Sequence, residues 1–94
     1  MTKSYIVVAY DVSDDHRRRR VAHILEDYGE RVQYSVFDCL LAPKDLVRLE
    51  RALSRVIEPN EDSVRFYRLC SPCADRIGVL GLGRVLRPES LRIV

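Results

Sequence analysis

Tyr5-Ile6-Val7-Val8-Ala9-Tyr10-Asp11-Val12-Ser13-Asp14-Asp15-His16-Arg17-Arg18-Arg19-Arg20 decides how the rest of this chain is read. From Tyr5 to Tyr10 both alternating sets are apolar, the pattern of a strand covered on both faces. The run closes on a carboxylate, Asp11. A polar turn follows, with Ser13, Asp14 and Asp15 as N-cap candidates. A helix then opens on four consecutive arginines. Positive charge at a helix N-terminus opposes the macrodipole and costs about 0.3–1 kcal/mol where nothing offsets it. A local rule broken without a structural gain is where function is expected. An acid at a strand end, facing cations at the next helix start, predicts a divalent metal at the acid and a phosphate backbone at the arginines.

Outward from this stretch, the first strand covers Lys3 to Tyr10 or Val12. One face must meet helices. The other needs a cover that a 94-residue chain with two helices on one side does not easily supply, and a second subunit's sheet is the simplest one. The first helix runs from about His16 to Tyr28 and ends at Gly29, read as a C′ glycine. Val21, Ile24, Leu25 and Tyr28 form its apolar stripe. At 100° per residue, Arg17 and Arg18 fall on or beside that stripe and lean over the end of strand one near Asp11. Arg19 and His23 fall on the solvated side, and Arg20 flanks the stripe on its other edge. Arg31 to Leu41 reads as one long strand, with Val32/Tyr34/Val36 alternating with Gln33/Ser35/Phe37/Cys39. Pro43 opens a second helix as an N1 proline, with Leu46, Leu49, Leu53, Val56 and Ile57 as its apolar face. Glu58-Pro59-Asn60 ends it.

A third strand covers Ser63 to Cys70, Ser71-Pro72 turns the chain, and Ile77 to Leu80 reads as a fourth strand with Gly78, Gly81 and Gly83 around its end. Leu91 to Val94 is a short apolar run suited to an edge strand on some sheet, including a partner's. Taken literally, helix two falls between the second and third strands. With the Cys39–Leu41 end and the Ser63–Cys70 strand as the pieces of a second half, the plan becomes β-α-β-β-α-β. That is an α+β, ferredoxin-like sandwich: one antiparallel sheet, two helices on one face, and a single domain over residues 1–94 with a tail at 84–94.

The net charge of +2 does not by itself indicate nucleic-acid binding. The distribution says more, because Arg17–Arg20 and Arg31 flank one helix. Of 16 basic residues only Lys3 and Lys44 are lysines, and the planar arginine fork suits phosphate better than a point charge. A chain of this size buries roughly 60–65% of its unfolded surface, so oligomerisation would help it. No apolar run approaches 18 residues and no signal-peptide pattern opens the chain, so neither a membrane partner nor export is expected. Three cysteines, an odd number, do not suggest a disulfide framework, and a reducing cytoplasm is the expected compartment.

Taken in series, several segments resemble the Cas-two family of CRISPR-associated adaptation proteins. They are Tyr10-Asp11 closing strand one, the arginine-rich helix start with Arg20-Val21-Ala22, Tyr28-Gly29, and Arg31-Val32-Gln33-Tyr34-Ser35-Val36-Phe37. Leu69-Cys70 with Cys73 and the late glycine also fit, so the resemblance covers most of the chain. It implies a ferredoxin-like homodimer whose sheets pack face to face, with an extra C-terminal strand joining the partner's sheet. It implies a protein that bridges two dimers of the Cas-one integrase and binds protospacer DNA along a basic surface during spacer acquisition. Some members cleave single-stranded RNA or double-stranded DNA with a divalent metal, and in them the strand-one aspartate sits at the dimer axis. Carried over, that residue is Asp11, with Tyr10, Arg18, Arg20, Arg31 and Phe37 matching positions near the site. The helical wheel favours Arg17 and Arg18, so the two routes share only Arg18.

One carboxylate per chain makes a poor Mg²⁺ site, because Mg²⁺ takes octahedral oxygen donors, with one or two carboxylates beside phosphate. Two copies of Asp11 across a two-fold axis would repair that deficit. No general base stands out beyond His16 or bulk water. Cys70-Ser-Pro-Cys73 resembles half a zinc site or a redox pair, yet zinc needs about four ligands and the setting reads as a plain turn. The competing readings are a stand-alone RNA interferase of the toxin type and a nucleic-acid-binding module without catalysis.

Overall fold

The computed structural model describes residues 3–87. Along the chain run β1 (Ser4–Asp11), α1 (Asp15–Glu26), β2 (Gly29–Gln33), β3 (Val36–Leu41), α2 (Pro43–Ser54), β4 (Ser63–Leu69) and a short α3 (Ser71–Ala74). The four strands form one sheet in the order β2-β3-β1-β4, with β1 antiparallel to both β3 and β4. This is the β-α-β-β-α-β plan, an α+β fold of the ferredoxin-like kind.

β1 is central because it alone is apolar on both alternating sets. Its Ile6, Val8 and Tyr10 join Phe37, Cys39 and Leu41 of β3 in one buried cluster with Val21, Ala22 and Leu25 of α1 and Leu46, Leu49 and Leu53 of α2. The alternation of side chains along a strand therefore puts both helices over this face. Tyr5, Val7, Ala9 and Asp11 point to the other face, as do Val36, Asp38 and Leu40.

Three sequence expectations change here. The strand expected over Arg31–Leu41 is a hairpin, broken at Tyr34-Ser35, with a register shift between Arg31 and Gln33. Apolar alternation continues across the break, and no glycine or asparagine marks it, because none of its residues has positive φ. Tyr10, far back in the chain, and the nearby Arg31 hold the turn instead. The Tyr10 amide donates to the Ser35 carbonyl (3.0 Å), while the Tyr10 hydroxyl (3.3 Å) and the Arg31 guanidinium (2.6 Å) donate to the Tyr34 carbonyl. Second, Ile77–Leu80 is not a strand. Residues 78–84 run as irregular chain beside the uncovered sheet face, along a cavity of about 700 Å³ lined by Val7, Val36, Asp38, Val79, Leu80 and Leu82. Third, Ser71-Pro72 opens α3 rather than a plain turn. The Leu91–Val94 edge strand lies outside the described residues.

Gly29 also takes a different role. The helix ends earlier, at Asp27, whose amide bonds back to the Ile24 and Leu25 carbonyls, and Gly29 is already the first residue of β2. Its φ is not positive. It faces Cys39 across the β2–β3 ladder, where a Cβ would stand 2.2 Å from the Asp38 carbonyl oxygen and 2.5 Å from the Cys39 Sγ. Close approach of two strands, not a left-handed turn, requires glycine here.

Candidate nucleic-acid and metal site

Asp11 is the last residue of β1, paired in register with Ser63 of β4, and it is exposed. Among the described residues its carboxylate takes part in no hydrogen bond or ion pair. It shares the helix-free face with half-buried Val7, Ala9, Val36 and Asp38, and with the exposed Tyr67. This face also borders Leu80 and Leu82, each 100% exposed. No group of three or more His, Cys, Asp or Glu side chains that could hold a metal occurs among the described residues. A single chain therefore offers one free oxygen-donor side chain at Asp11. That fits a hard cation in type but falls short of a site in number.

The arginine run divides by function. Asp14 is the N-cap, accepting from the Arg17 amide at 2.9 Å, and this bond holds its carboxyl below the usual range. Arg17 does lean over the end of β1, but the carboxylate it meets is Asp62. Its Nε donates to Asp62 Oδ2 at 2.8 Å and its terminal nitrogen to Oδ1 at 3.1 Å, with Glu61 at 3.3 Å. Asp62 is buried; it also accepts from the amides of Glu58 (2.8 Å) and Ser13 (3.3 Å). Arg17 first, then these amides, pull its carboxyl down to about 2. Arg18 donates to the Val12 carbonyl at 2.9 Å and pairs with Asp15. The cations that seemed to oppose the α1 dipole are thus largely answered by Asp14, Asp15, Glu61 and Asp62. Arg19 and Arg20 are exposed and have no ion pair among the described residues.

Arg31 is exposed, and its guanidinium carbon lies 5.2 Å from the centroid of the Phe37 ring, within cation–π range. Tyr10 and Phe37 do not share Asp11's surroundings. Both are buried on the helix-covered face, their rings 6.3 Å apart, and burial raises the Tyr10 phenol above its ordinary pKa. They shape the floor under Arg31 and do not approach Asp11's face. His16 is exposed at the start of α1 and makes no hydrogen bond to Asp11 among the described residues.

Two features escaped the sequence reading. Asp62 lies 45 residues from Arg17, in a loop whose composition gives no sign of burial. The second is Asp38, a carboxylate within the apolar Val36–Leu41 run and so visible in retrospect. It accepts from the Tyr5 hydroxyl at 2.6 Å. Burial, and then this bond, push the Tyr5 phenol up to about 12.

Residues 4–77 match the family model described as CRISPR associated protein Cas2. A relative from Synechocystis, named CRISPR-associated endoribonuclease Cas2 3, is 40% identical over 88 residues, covering 94% of this chain and 96% of its own. One from Thermus thermophilus, named CRISPR-associated endonuclease Cas2 2, is 43% identical over 83 residues and covers 88% of each chain. Among solved structures, hypothetical protein TT1823 from Thermus thermophilus superposes with a TM-score of 0.78 at 40% identity, covering 87% of this chain and 95% of that one. A chain from a partial Cas6-RT-Cas1–Cas2 complex superposes with a TM-score of 0.70 at 28% identity, covering 82% and 90%.

Proposed function

The chain belongs to the CRISPR-associated Cas2 family, and from that premise we propose that two copies pack through their helix-free sheet faces into a dimer that presents nucleic acid to a Cas1 partner and cleaves phosphodiesters at paired Asp11 side chains. The observation that carries this reading is the position of Asp11. It is an exposed carboxylate without a partner among the described residues, at the edge of the one sheet face that the helices leave open. Relatives bearing endoribonuclease and endonuclease names support cleavage, and the neighbour from a Cas1–Cas2 complex supports the partner.

In this reading Asp11 from each copy holds a divalent cation, Mg²⁺ by its preference for carboxylate and phosphate oxygens. A bound cation would polarise the scissile phosphate or lower the pKa of an attacking water. Arg20 and Arg31, with Arg18 behind them, contact phosphates and position the strand without reading its sequence. Arg17 is assigned to the fold instead, since the buried Asp62 holds one edge of its guanidinium through two bonds and Glu61 meets the same terminal nitrogen.

The test compares wild type and Asp11→Ala on labelled single-stranded RNA and on duplex DNA, with Mg²⁺ and with chelator, alongside sedimentation. The expected result is a wild-type dimer that cleaves only with metal, and a variant dimer that binds but does not cleave. Unchanged cleavage by the variant would remove Asp11 from the chemistry, and a wild-type monomer would remove the shared site. Copurification with Cas1 supports the adaptation role. Growth arrest on expression, relieved by Asp11→Ala, would point to a toxin instead.

A further inference from the structure

Outside the Asp11 face, the described residues carry one other concentration of reactive chemistry. Cys70 ends β4 and caps α3, and Cys73 lies within α3, so the two fall three residues apart around one tight turn. Both are exposed, and their sulfurs are 2.9 Å apart. Bonded sulfurs sit about 2.05 Å apart, so less than about 1 Å of movement would join them. Pro72 stands in the first turn of α3 and fixes the backbone between the two cysteines. Cys39, the remaining cysteine, is buried, and burial pushes its thiol up to about 12, which leaves it inert.

We propose that Cys70 and Cys73 form a redox site, a dithiol that closes reversibly to an intramolecular disulfide on reaction with a small-molecule disulfide. Zinc is the competing use of such spacing, but it needs about four ligands, and no third one joins the pair among the described residues. Three features fit the redox use. Of the two cysteines Cys70 lines the adjoining recess, and the Cys73 thiol beside it draws Cys70 below its ordinary pKa, so attack is assigned to Cys70. The pair is open to solvent, as a modifiable thiol must be. It also borders a recess of about 300 Å³ lined by Leu69, Leu86, Asp75, Lys3 and Arg87. Asp75 pairs with Arg87 at 3.4 Å, which leaves Lys3 as the cation without a partner among the described residues, and Lys3 would attract a carboxylate-bearing disulfide such as oxidised glutathione.

The steps balance without any other oxidant. Cys70 thiolate attacks one glutathione sulfur, the S–S bond breaks, and one glutathione leaves as thiolate. The Cys73 thiol gives its proton to water and attacks the Cys70 sulfur of the mixed disulfide, releasing the second glutathione. The protein loses two electrons, and one disulfide becomes two thiols. The closed bridge fixes α3, the turn from which residues 75–87 leave the sheet.

The experiment incubates the full chain with excess oxidised glutathione, then alkylates it under denaturing conditions and weighs it. Of the three thiols, one should remain alkylatable, assigned to Cys39, with no glutathione attached; dithiothreitol should restore all three. Cys73→Ser should trap a single glutathione on Cys70, and should do so faster than Cys70→Ser traps one on Cys73. Three alkylatable thiols after oxidation would overturn the proposal, and so would two attached glutathiones without a bridge. The reverse order of rates would overturn the assignment of attack to Cys70. These readings come from mass and do not depend on cleavage, binding or dimerisation.

Discussion

Replacing Gly29 by alanine should weaken the fold far more than a helix-terminal glycine would suggest. The added Cβ would lie 2.2 Å from the Asp38 carbonyl oxygen, 2.5 Å from the Cys39 Sγ and 3.0 Å from the Asp38 carbonyl carbon. Two of these three atoms are backbone, so side-chain rotation gives no relief. Reaching ordinary contact requires β2 and β3 to part by about 1 Å, on a strand spacing of about 4.8 Å. Overpacking of this kind costs about 1–3 kcal/mol. Stretching one or two ladder hydrogen bonds around Gly29↔Cys39 and Glu30↔Asp38 adds about 0.5–1.5 kcal/mol each. The total is about 1.5–6 kcal/mol, which for a domain of this length, at about 4–8 °C per kcal/mol, lowers Tm by about 6–48 °C.

Thermal and urea unfolding followed by far-ultraviolet circular dichroism measure this loss. Gly29→Asn tests the cause. Asparagine tolerates left-handed backbone, so at a C′ position it would cost little, whereas between two strands it collides as alanine does. A Gly29→Asn variant within about 0.5 kcal/mol of wild type would refute the close-approach argument, since surface substitutions at unconstrained sites fall in that range. The consequence reaches the proposed phosphate contact at Arg31, because β2 also carries Arg31 to its place above Phe37.

Two further outcomes follow from the charges. Arg17→Ala leaves Asp62 buried without its cation. The Asp62 carboxyl is held down to about 2, below its ordinary value, so the stability it contributes is full above about pH 4 and is lost as pH falls through about 2. Urea midpoints should show the variant well below wild type at pH 7 and the gap closing by about pH 2; an equal gap at both would contradict the pairing. For the proposed phosphate contacts, Arg20→Ala and Arg31→Ala should each flatten the slope of log affinity against log salt by about 1, measured on duplex DNA by fluorescence anisotropy. Unchanged slopes would place nucleic acid elsewhere.

What the residues alone determined was whatever rests on short-range periodicity. The doubly apolar Tyr5–Tyr10 run set the central strand, the Val21–Tyr28 and Leu46–Ile57 stripes set two helices on one side, and their order set the ferredoxin-like plan. Asp11 at the strand end was legible because polarity changes abruptly there. The tertiary structure decided everything that depends on who meets whom. Arg17 looked available because Asp62 is far along the chain, and only the pairing of β4 with β1 brings that carboxylate beside it. The hairpin inside Arg31–Leu41 was hidden because its turn carries no glycine or asparagine and is held by Tyr10, 24 residues away, together with the Arg31 side chain. Gly29 was misread because a glycine's reason lies in the atoms opposite it, and a sequence does not show what stands across the sheet.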